Sequence, residues 1–218
     1  MVENFSWVVD KQDNFKDYVL NLPDNQVEEI LGNIPSGWNY PPKSHRQFVE
    51  WLIDRIKPEV TVELGVDYGY SSFLMALCQD NPVYGVDCFD VSVHGPREDD
   101  DYQFVMAVKE KLGLDNLEII KSYFDDVAKT WDKEIDLLHI DGLHDYENCK
   151  NDCDTWAPLL KDNGVILFHD TVSNPDGVGL FFSQLEVSKV NFTNSFGLGV
   201  ASNNIDLIQE IKTTFNVN

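Results

Sequence analysis

Beyond residue 44 the chain alternates between two hydrophobic periods. Short apolar runs at Val60–Leu64, Val83–Val86, Leu117–Ile120, Ile135–Ile140 and Val165–Phe168 have the length of strands. Between and after them, Tyr70–Gln79, Tyr102–Leu112, Phe124–Trp131, Asp145–Leu160 and Val178–Val187 carry apolar residues at helical spacing. The fourth is the clearest, because Tyr146, Cys149, Cys153, Trp156 and Leu160 fall on one face. Such alternation specifies parallel strands joined by right-handed crossovers, with helices on both faces. The tail departs from it. Val190–Thr193 and Gly197–Val200 lie too close for a crossover, so they pair antiparallel before a last helix near Ile205–Phe215. The expected fold is therefore α/β: a doubly wound, Rossmann-like seven-stranded sheet, mostly parallel with an antiparallel C-terminal strand.

Upstream, Phe48, Trp51, Leu52, Arg55 and Ile56 keep helical spacing until Pro58 stops the run. Residues 1–43 are irregular, with aromatic residues between Asn, Asp and Pro, and Asp24–Leu31 reads as a short helix capped by Asp24. This divides the chain into an N-terminal cap or extension (1–43) and one domain (44–218).

Composition narrows the functional classes. With 218 residues and 43% hydrophobic positions the chain can bury a core of its own. Sixteen Lys+Arg against 38 Asp+Glu give a net charge of −22, a field that repels phosphate backbones and argues against nucleic acid as a partner. That charge suits a solvated acidic surface, or in part a cationic ligand or metal. No apolar run is long enough to span a membrane, and the start lacks a basic region followed by an apolar one, so the expectation is a soluble, cytoplasmic protein without a membrane partner. The four cysteines, Cys78, Cys88, Cys149 and Cys153, form no CxxC pair and read as core thiols.

Candidate chemistry starts at the turn after the first strand, Val62-Glu-Leu-Gly-Val-Asp-Tyr-Gly-Tyr-Ser71. In open α/β sheets ligands bind beyond the carboxyl ends of the strands at this switch point. Gly65 lets the backbone approach a ligand, Gly69 allows the tight turn into the helix, and Ser71 offers a donor near the helix N-terminus. Asp67 stands where the dinucleotide fingerprint needs glycine. Asp87 ends the second strand, where a carboxylate can accept ribose hydroxyls, and Ser122 and Tyr123 follow the third, where an adenine edge would lie. Glu63 and Asp67 bring negative charge that suits a cationic ligand better than a pyrophosphate. The plainer alternative leaves Glu63 and Asp87 as ordinary strand-end carboxylates.

A second constellation sits at strands four and five. Asp141 leaves the fourth strand, Gly142 turns the chain, and His144 arrives before the next helix; His169 and Asp170 leave the fifth. Two Asp oxygens with a His nitrogen or waters can hold a divalent cation, magnesium or manganese, which places Asp141, His169 and Asp170 in a metal site. The plainer reading of His169 is a hydrogen-bonded histidine closing its strand. A nearby helix N-terminus would favour neutral His144, the form that serves as a base. His139 has no assignment, and His45 and His94 have no role. Trp38 and Tyr40 read either as a sugar platform or as packing. The loop from Asp90 to Asp101 should hang over the crevice.

The segment Glu63–Ser71, Asp87, the block Ile140-Asp-Gly-Leu-His-Asp-Tyr146, and Asp152, Trp156, Pro158–Leu160 and Gly164–Asp170 resemble a class I S-adenosylmethionine-dependent methyltransferase. More narrowly, the chain resembles the small-molecule and sugar O-methyltransferases typified by macrolide-sugar enzymes, and more distantly catechol O-methyltransferase and cephalosporin hydroxylase-like proteins. The resemblance covers roughly 44–200 and is strongest over 135–171. It implies S-adenosylmethionine as cofactor, held through Glu63, Gly65, Asp67, Gly69, Ser71, Asp87, Ser122 and Asp141, and a small hydroxylated acceptor. It also implies metal at Asp141 and Asp170, with His144 as catalytic base beside Asp141. His169 departs from the carboxylate that precedes the matching aspartate in relatives. Homo-oligomers are the analogy such folds suggest. The competing expectation is a non-catalytic S-adenosylmethionine-binding protein, or a hydroxylase-associated relative, on the same fold.

Overall fold

The computed structural model describes residues 15–24, 26–39, 45–94 and 101–217. Seven strands form one sheet: β1 Thr61–Leu64, β2 Val83–Asp87, β3 Leu117–Lys121, β4 Ile135–Ile140, β5 Leu160–His169, β6 Ser188–Phe192 and β7 Leu198–Ser202. Their order is β3-β2-β1-β4-β5-β7-β6. The first five run parallel, while β7 lies antiparallel to β5 and β6 antiparallel to β7. The expected doubly wound sheet is what forms, with one strand, β7, running against the other six, because β6 turns back into the direction of β5.

Side-chain alternation makes the two cores. Leu137 and Leu167 face one hydrophobic layer, while their neighbours Leu138 and Phe168 face the other. The first layer is built from helices α1 Phe15–Asn21, α2 Val27–Asn33, α3 His45–Ile56 and α4 Tyr70–Leu77, with α6 Asp101–Leu112 and α10 Ile205–Phe215. The second is closed by α7 Phe124–Ala128, α8 Tyr146–Trp156 and α9 Val178–Gln184. A single turn, α5 Val91–His94, follows β2. Each fully buried Leu or Phe contributes about 1.5–3 kcal/mol, so a sheet covered on both faces is stabilised from both sides. Residues 15–39 belong to the first layer. Phe15 packs edge-on against Tyr68 and Phe104 at 5.0 and 5.5 Å, and Trp38 is buried against His139 at 5.0 Å.

Several boundaries differ from the sequence reading, for local reasons. Asp24 caps nothing; α2 begins at Val27 after Gln26. Leu160 is not on α8. The helix stops at Trp156, a 3-10 turn containing Pro158 takes over, and Leu160 opens β5. That strand is long because its polar start, Lys161–Asn163, extends past the core before Gly164. Asp145 caps α8 by accepting from Asn148 N at 3.0 Å. All four cysteines are free, with Cys149 and Cys153 buried, as expected of core thiols. Among the described residues no helix is long and apolar enough to cross a membrane.

Candidate active site

A cavity of about 510 Å³ opens at the carboxyl ends of β1 and β4, beside the switch point. Gly65, Asp67 and Ser71 line one side, and Asp141, His144 and Asp170 the other. The two halves are pressed together at Gly65. Its φ is +95°, and a Cβ there would fall inside the van der Waals envelope of the Asp141 carbonyl. Glycine at 65 is therefore what lets the β1 turn and the β4 end share one wall. Asp67 follows at φ +52° and Gly69 at φ +86°, which turns the chain into α4.

Asp87 shapes this turn from beneath. Its Oδ2 accepts from Val66 N at 2.9 Å and Asp67 N at 3.1 Å, and its Oδ1 from Phe89 N at 2.7 Å. The carboxylate is 2% exposed and lines the cavity while splinting the loops after β1 and β2. Glu63 is placed elsewhere. It is fully buried and does not line the cavity, because Ser72 Oγ donates to one oxygen and His139 Nδ1 lies 2.8 Å from the other. His139, unassigned from sequence, is thus the partner of a core carboxylate. Ser122 likewise lies outside the cavity, its backbone N donating to Asp87 O at 3.0 Å. The neighbouring Tyr123 lines a second cavity of about 350 Å³.

At the other wall two carboxylates and two imidazoles meet. His144 Nε2 lies 3.0 Å from Asp170 Oδ2 and 3.3 Å from Asp141 Oδ1; His169 Nδ1 reaches the same two oxygens at 3.2 and 3.3 Å. Asp170 adopts φ +62°, tolerated by a short polar side chain, and its other oxygen accepts from Ser173 Oγ. His144 is held by its backbone, its carbonyl accepting from Val178 N at 3.1 Å as α9 begins. The donor atoms of Asp141, His144 and Asp170 lie within 4.8 Å of one another, a set able to hold a cation. His169 touches both carboxylates from the buried side instead, and its Nε2 has no hydrogen-bond partner.

The charges follow from this geometry. Burial works against protonating His144, but Asp141 and Asp170 outweigh it and push the imidazole up to about 10. The expectation that a helix N-terminus keeps His144 neutral fails for that reason: two carboxylates at hydrogen-bond distance outweigh a helix end. His169 is raised in the same way against its burial. Burial alone would raise Asp141 and Asp170, yet the two imidazoles hold both below the usual carboxylate range. Deeper still, burial and the neighbouring His169 depress His45 to about 4, its ring 6.0 Å from that of His169. His45 thus belongs to a buried histidine layer beneath the site.

The far rim comes from segments without a sequence motif. Pro35–Trp38, Ser173 and Phe196 also line the cavity, with Gly37 against Phe196 and His169. Their hydrophobic-polar pattern gave no signal, since they meet only through tertiary packing. Tyr40 and residues 95–100 of the loop after β2 lie outside the described residues.

Against known proteins, a family model described as a methyltransferase domain matches residues 62–171, half of the chain. This chain belongs to the methyltransferase domain family. The methyltransferase domain is also 30% identical over 166 residues to the uncharacterised protein y4gI of Sinorhizobium fredii. That match spans 72% of the chain but only 18% of the relative's length. Among solved structures, a putative caffeoyl-CoA O-methyltransferase from Staphylococcus aureus superposes with a TM-score of 0.62 at 18% identity, over 87% of this chain and 99% of that one. An O-methyltransferase from Bacillus cereus in complex with SAH gives 0.61 at 16% identity, over 90% and 96%. TomG from Streptomyces achromogenes, in complex with SAM, gives 0.60 at 16% identity, over 93% and 99%. These likenesses establish the Rossmann-like methyltransferase fold that the strand order already shows.

Proposed function

We propose that this methyltransferase domain is an S-adenosylmethionine-dependent O-methyltransferase acting on a hydroxyl of a sugar or other small polar acceptor. The observation that carries the reading is one cavity that joins the glycine turn at Gly65, Asp67 and Ser71 to the Asp141–His144–Asp170 cluster. The solved neighbours whose descriptions name SAM or SAH support the cofactor. A cofactor fits the first wall, where Gly65 lets the β1 turn close onto the end of β4 and Asp67 offers a carboxylate to a sulfonium or ammonium group.

In the reaction the methyl–sulfur bond breaks as a methyl–oxygen bond forms, and the acceptor's hydroxyl proton must leave. His144 is placed to take it, with a side chain 40% exposed at the cavity wall. The Asp141 and Asp170 carboxylates fit a divalent cation and would hold it, leaving the His144 imidazole for the proton. Such an ion, when bound, supplies Lewis acidity that lowers the pKa of a coordinated hydroxyl. The same carboxylates keep the proton on His144, so engaging them elsewhere frees the imidazole to act as a base. Ser173 fixes the Asp170 carboxylate, and the Pro35–Trp38 rim with Phe196 lines the same cavity.

Calorimetric titration of S-adenosylmethionine into chelator-treated protein, repeated with magnesium or manganese, tests this. The expected result is micromolar binding, and methyl transfer to hydroxylated acceptors that rises with cation. Binding without transfer to any acceptor, with or without metal, favours the non-catalytic reading instead.

A further inference from the structure

The N-terminal segment carries a cation that its own helix does not call for. Lys16 is the second residue of α1, where a positive charge opposes the helix dipole. Its Nζ lies 2.5 Å from Oδ1 of Asp101, the first residue of α6, and 5.6 Å from the centroid of the Tyr68 ring. Both side chains of the ion pair are largely withdrawn from water, 13% and 9% exposed. Asp101 suits its place, since a carboxylate is favoured at a helix start. The position of Lys16 is explained only by what it touches.

Through Tyr68 it touches the glycine turn after β1. Tyr68 stands between Asp67 at φ +52° and Gly69 at φ +86°, and with Asp67 it lines the first cavity. A non-glycine residue at positive φ persists where its surroundings hold it. On one side Asp87 does so, accepting from Val66 N and Asp67 N. On the other the Tyr68 ring is enclosed. Phe15 meets it edge-on at 5.0 Å and Phe104 at 6.4 Å, and the Lys16 ammonium completes the surround. A second lysine pins the far end: Lys111, in the last turn of α6, donates to Leu22 O and to Asp24 Oδ1. Helix α1 thus lies along α6, held start to start and end to end, with Tyr68 gripped by the two first turns. Phe15 and Lys16 lie outside residues 62–171, which the family model matches.

We propose that Lys16 is a positioning residue for the cofactor: by closing α1 on α6 around Tyr68, it holds the Asp67 carboxylate at the cavity wall. This rests on the reading that S-adenosylmethionine occupies the cavity at that turn. With the ammonium gone, Asp101 loses its ion-pair partner, the grip on Tyr68 loosens, and Asp67 can relax out of its left-handed conformation.

The test compares the unmodified protein with Lys16→Met, Lys16→Arg and Asp101→Asn. Calorimetry reads S-adenosylhomocysteine affinity. Hydrogen exchange of the ligand-free proteins reads the amides of Val66, Asp67 and Gly69, the last of which donates to Val66 O at 2.8 Å. Urea unfolding reads global stability. Lys16→Met should weaken binding by about tenfold and speed exchange at the three amides by a similar factor. Asp101→Asn breaks the pair from the other side and should act in the same direction, so either variant decides the matter if the other does not fold. Lys16→Arg keeps the cation and should stay within about threefold of the unmodified affinity. A lower unfolding midpoint with affinity and the three amides unchanged makes Lys16 a structural tie and overturns the proposal, as does a loss in Lys16→Arg equal to that in Lys16→Met. Failure of the unmodified protein to bind S-adenosylhomocysteine at all overturns it together with the cofactor reading.

Discussion

His144 Nε2 lies 3.0 Å from Asp170 Oδ2. One residue precedes helix α8 and the other follows strand β5, so the contact ties two neighbouring strand ends together and fixes the imidazole's charge. Burial opposes protonation and loses to the carboxylates, leaving His144 at about 10 when no cation shares them. A group raised above its ordinary value near 6.5 stabilises the fold fully below that pH and loses the contribution as pH rises through 10. Metal-free protein should therefore lose stability between about pH 6.5 and 10. Its His144 ring resonances should titrate near 10 and move towards neutrality when magnesium or manganese is added. A His144 titration near 6.5 in chelated protein would remove the carboxylate hold from the account.

As the base, His144 should matter to turnover and little to cofactor affinity. Asp141 and Asp170 remain in place in His144→Gln, so the holding residues survive the substitution. The expected loss is about 10²–10⁴-fold in kcat, with S-adenosylhomocysteine affinity within a few-fold of the unmodified value. Equal losses in affinity and kcat would mark His144 as a binding residue.

Much of this architecture was legible in the chain, because parallel strands covered on both faces must read as short apolar runs. Gly65, Asp141 and Asp170 were legible for a related reason: strand ends fall at predictable places in an alternating fold. The placements of Glu63 and Asp152 were not. A carboxylate at the end of β1 looks the same in sequence whether it faces the crevice or, as Glu63 does, Ser72 and His139 in the core. Asp152 sits one place before Cys153 on α8 and reads as part of that helix's polar face; only the packing of α7 beside it takes it out of water. The rim at Pro35–Trp38 has no period to read, since it is fixed by Trp38 meeting His139.

Glu63 gives a direct test of core against cofactor roles. Removing a buried acceptor from two donors leaves both unsatisfied, at a cost of about 2–4 kcal/mol. Glu63→Ala should therefore lower the urea unfolding midpoint markedly. Glu63→Gln keeps the shape and one acceptor, and should cost less. At temperatures where both variants are folded, cofactor affinity should change by less than about threefold, a range too small for a lost hydrogen bond to a charged group. A tenfold loss of affinity in well-folded Glu63→Gln would return this residue to the cofactor site.

Gly65 carries a different kind of constraint. Alanine there must adopt φ +95° and place its methyl group against the Asp141 carbonyl. Strained φ costs of order 1–3 kcal/mol, and the backbone clash adds to it because neither strand end can retreat without breaking the Asp141 N to Leu64 O bond of 2.8 Å. Gly65→Ala should destabilise the fold by roughly 2–4 kcal/mol and abolish cofactor binding, measured by denaturant unfolding and calorimetry on the same sample. Normal stability with unchanged affinity would mean that the two strand ends are not pressed together.

The Asp152 carboxylate, which is 6% exposed and lines the second cavity, should show itself in stability. Burial, with Asp125 and Asp145 beside it, moves Asp152 from an ordinary 3.8 up to about 7. Between those values the folded protein holds a proton that the unfolded chain has released, so stability falls as pH rises and the loss is complete only above 7. Asp152→Asn cannot ionise and escapes the loss. The ligand-free variant should be more stable than the unmodified protein at pH 8 by roughly 2–4 kcal/mol, and the gap should close towards pH 4. Urea unfolding at the two pH values reads this directly. A gap of the same size at both, or a variant less stable at pH 8, would show that Asp152 ionises without penalty and that the cavity floor already supplies its donors.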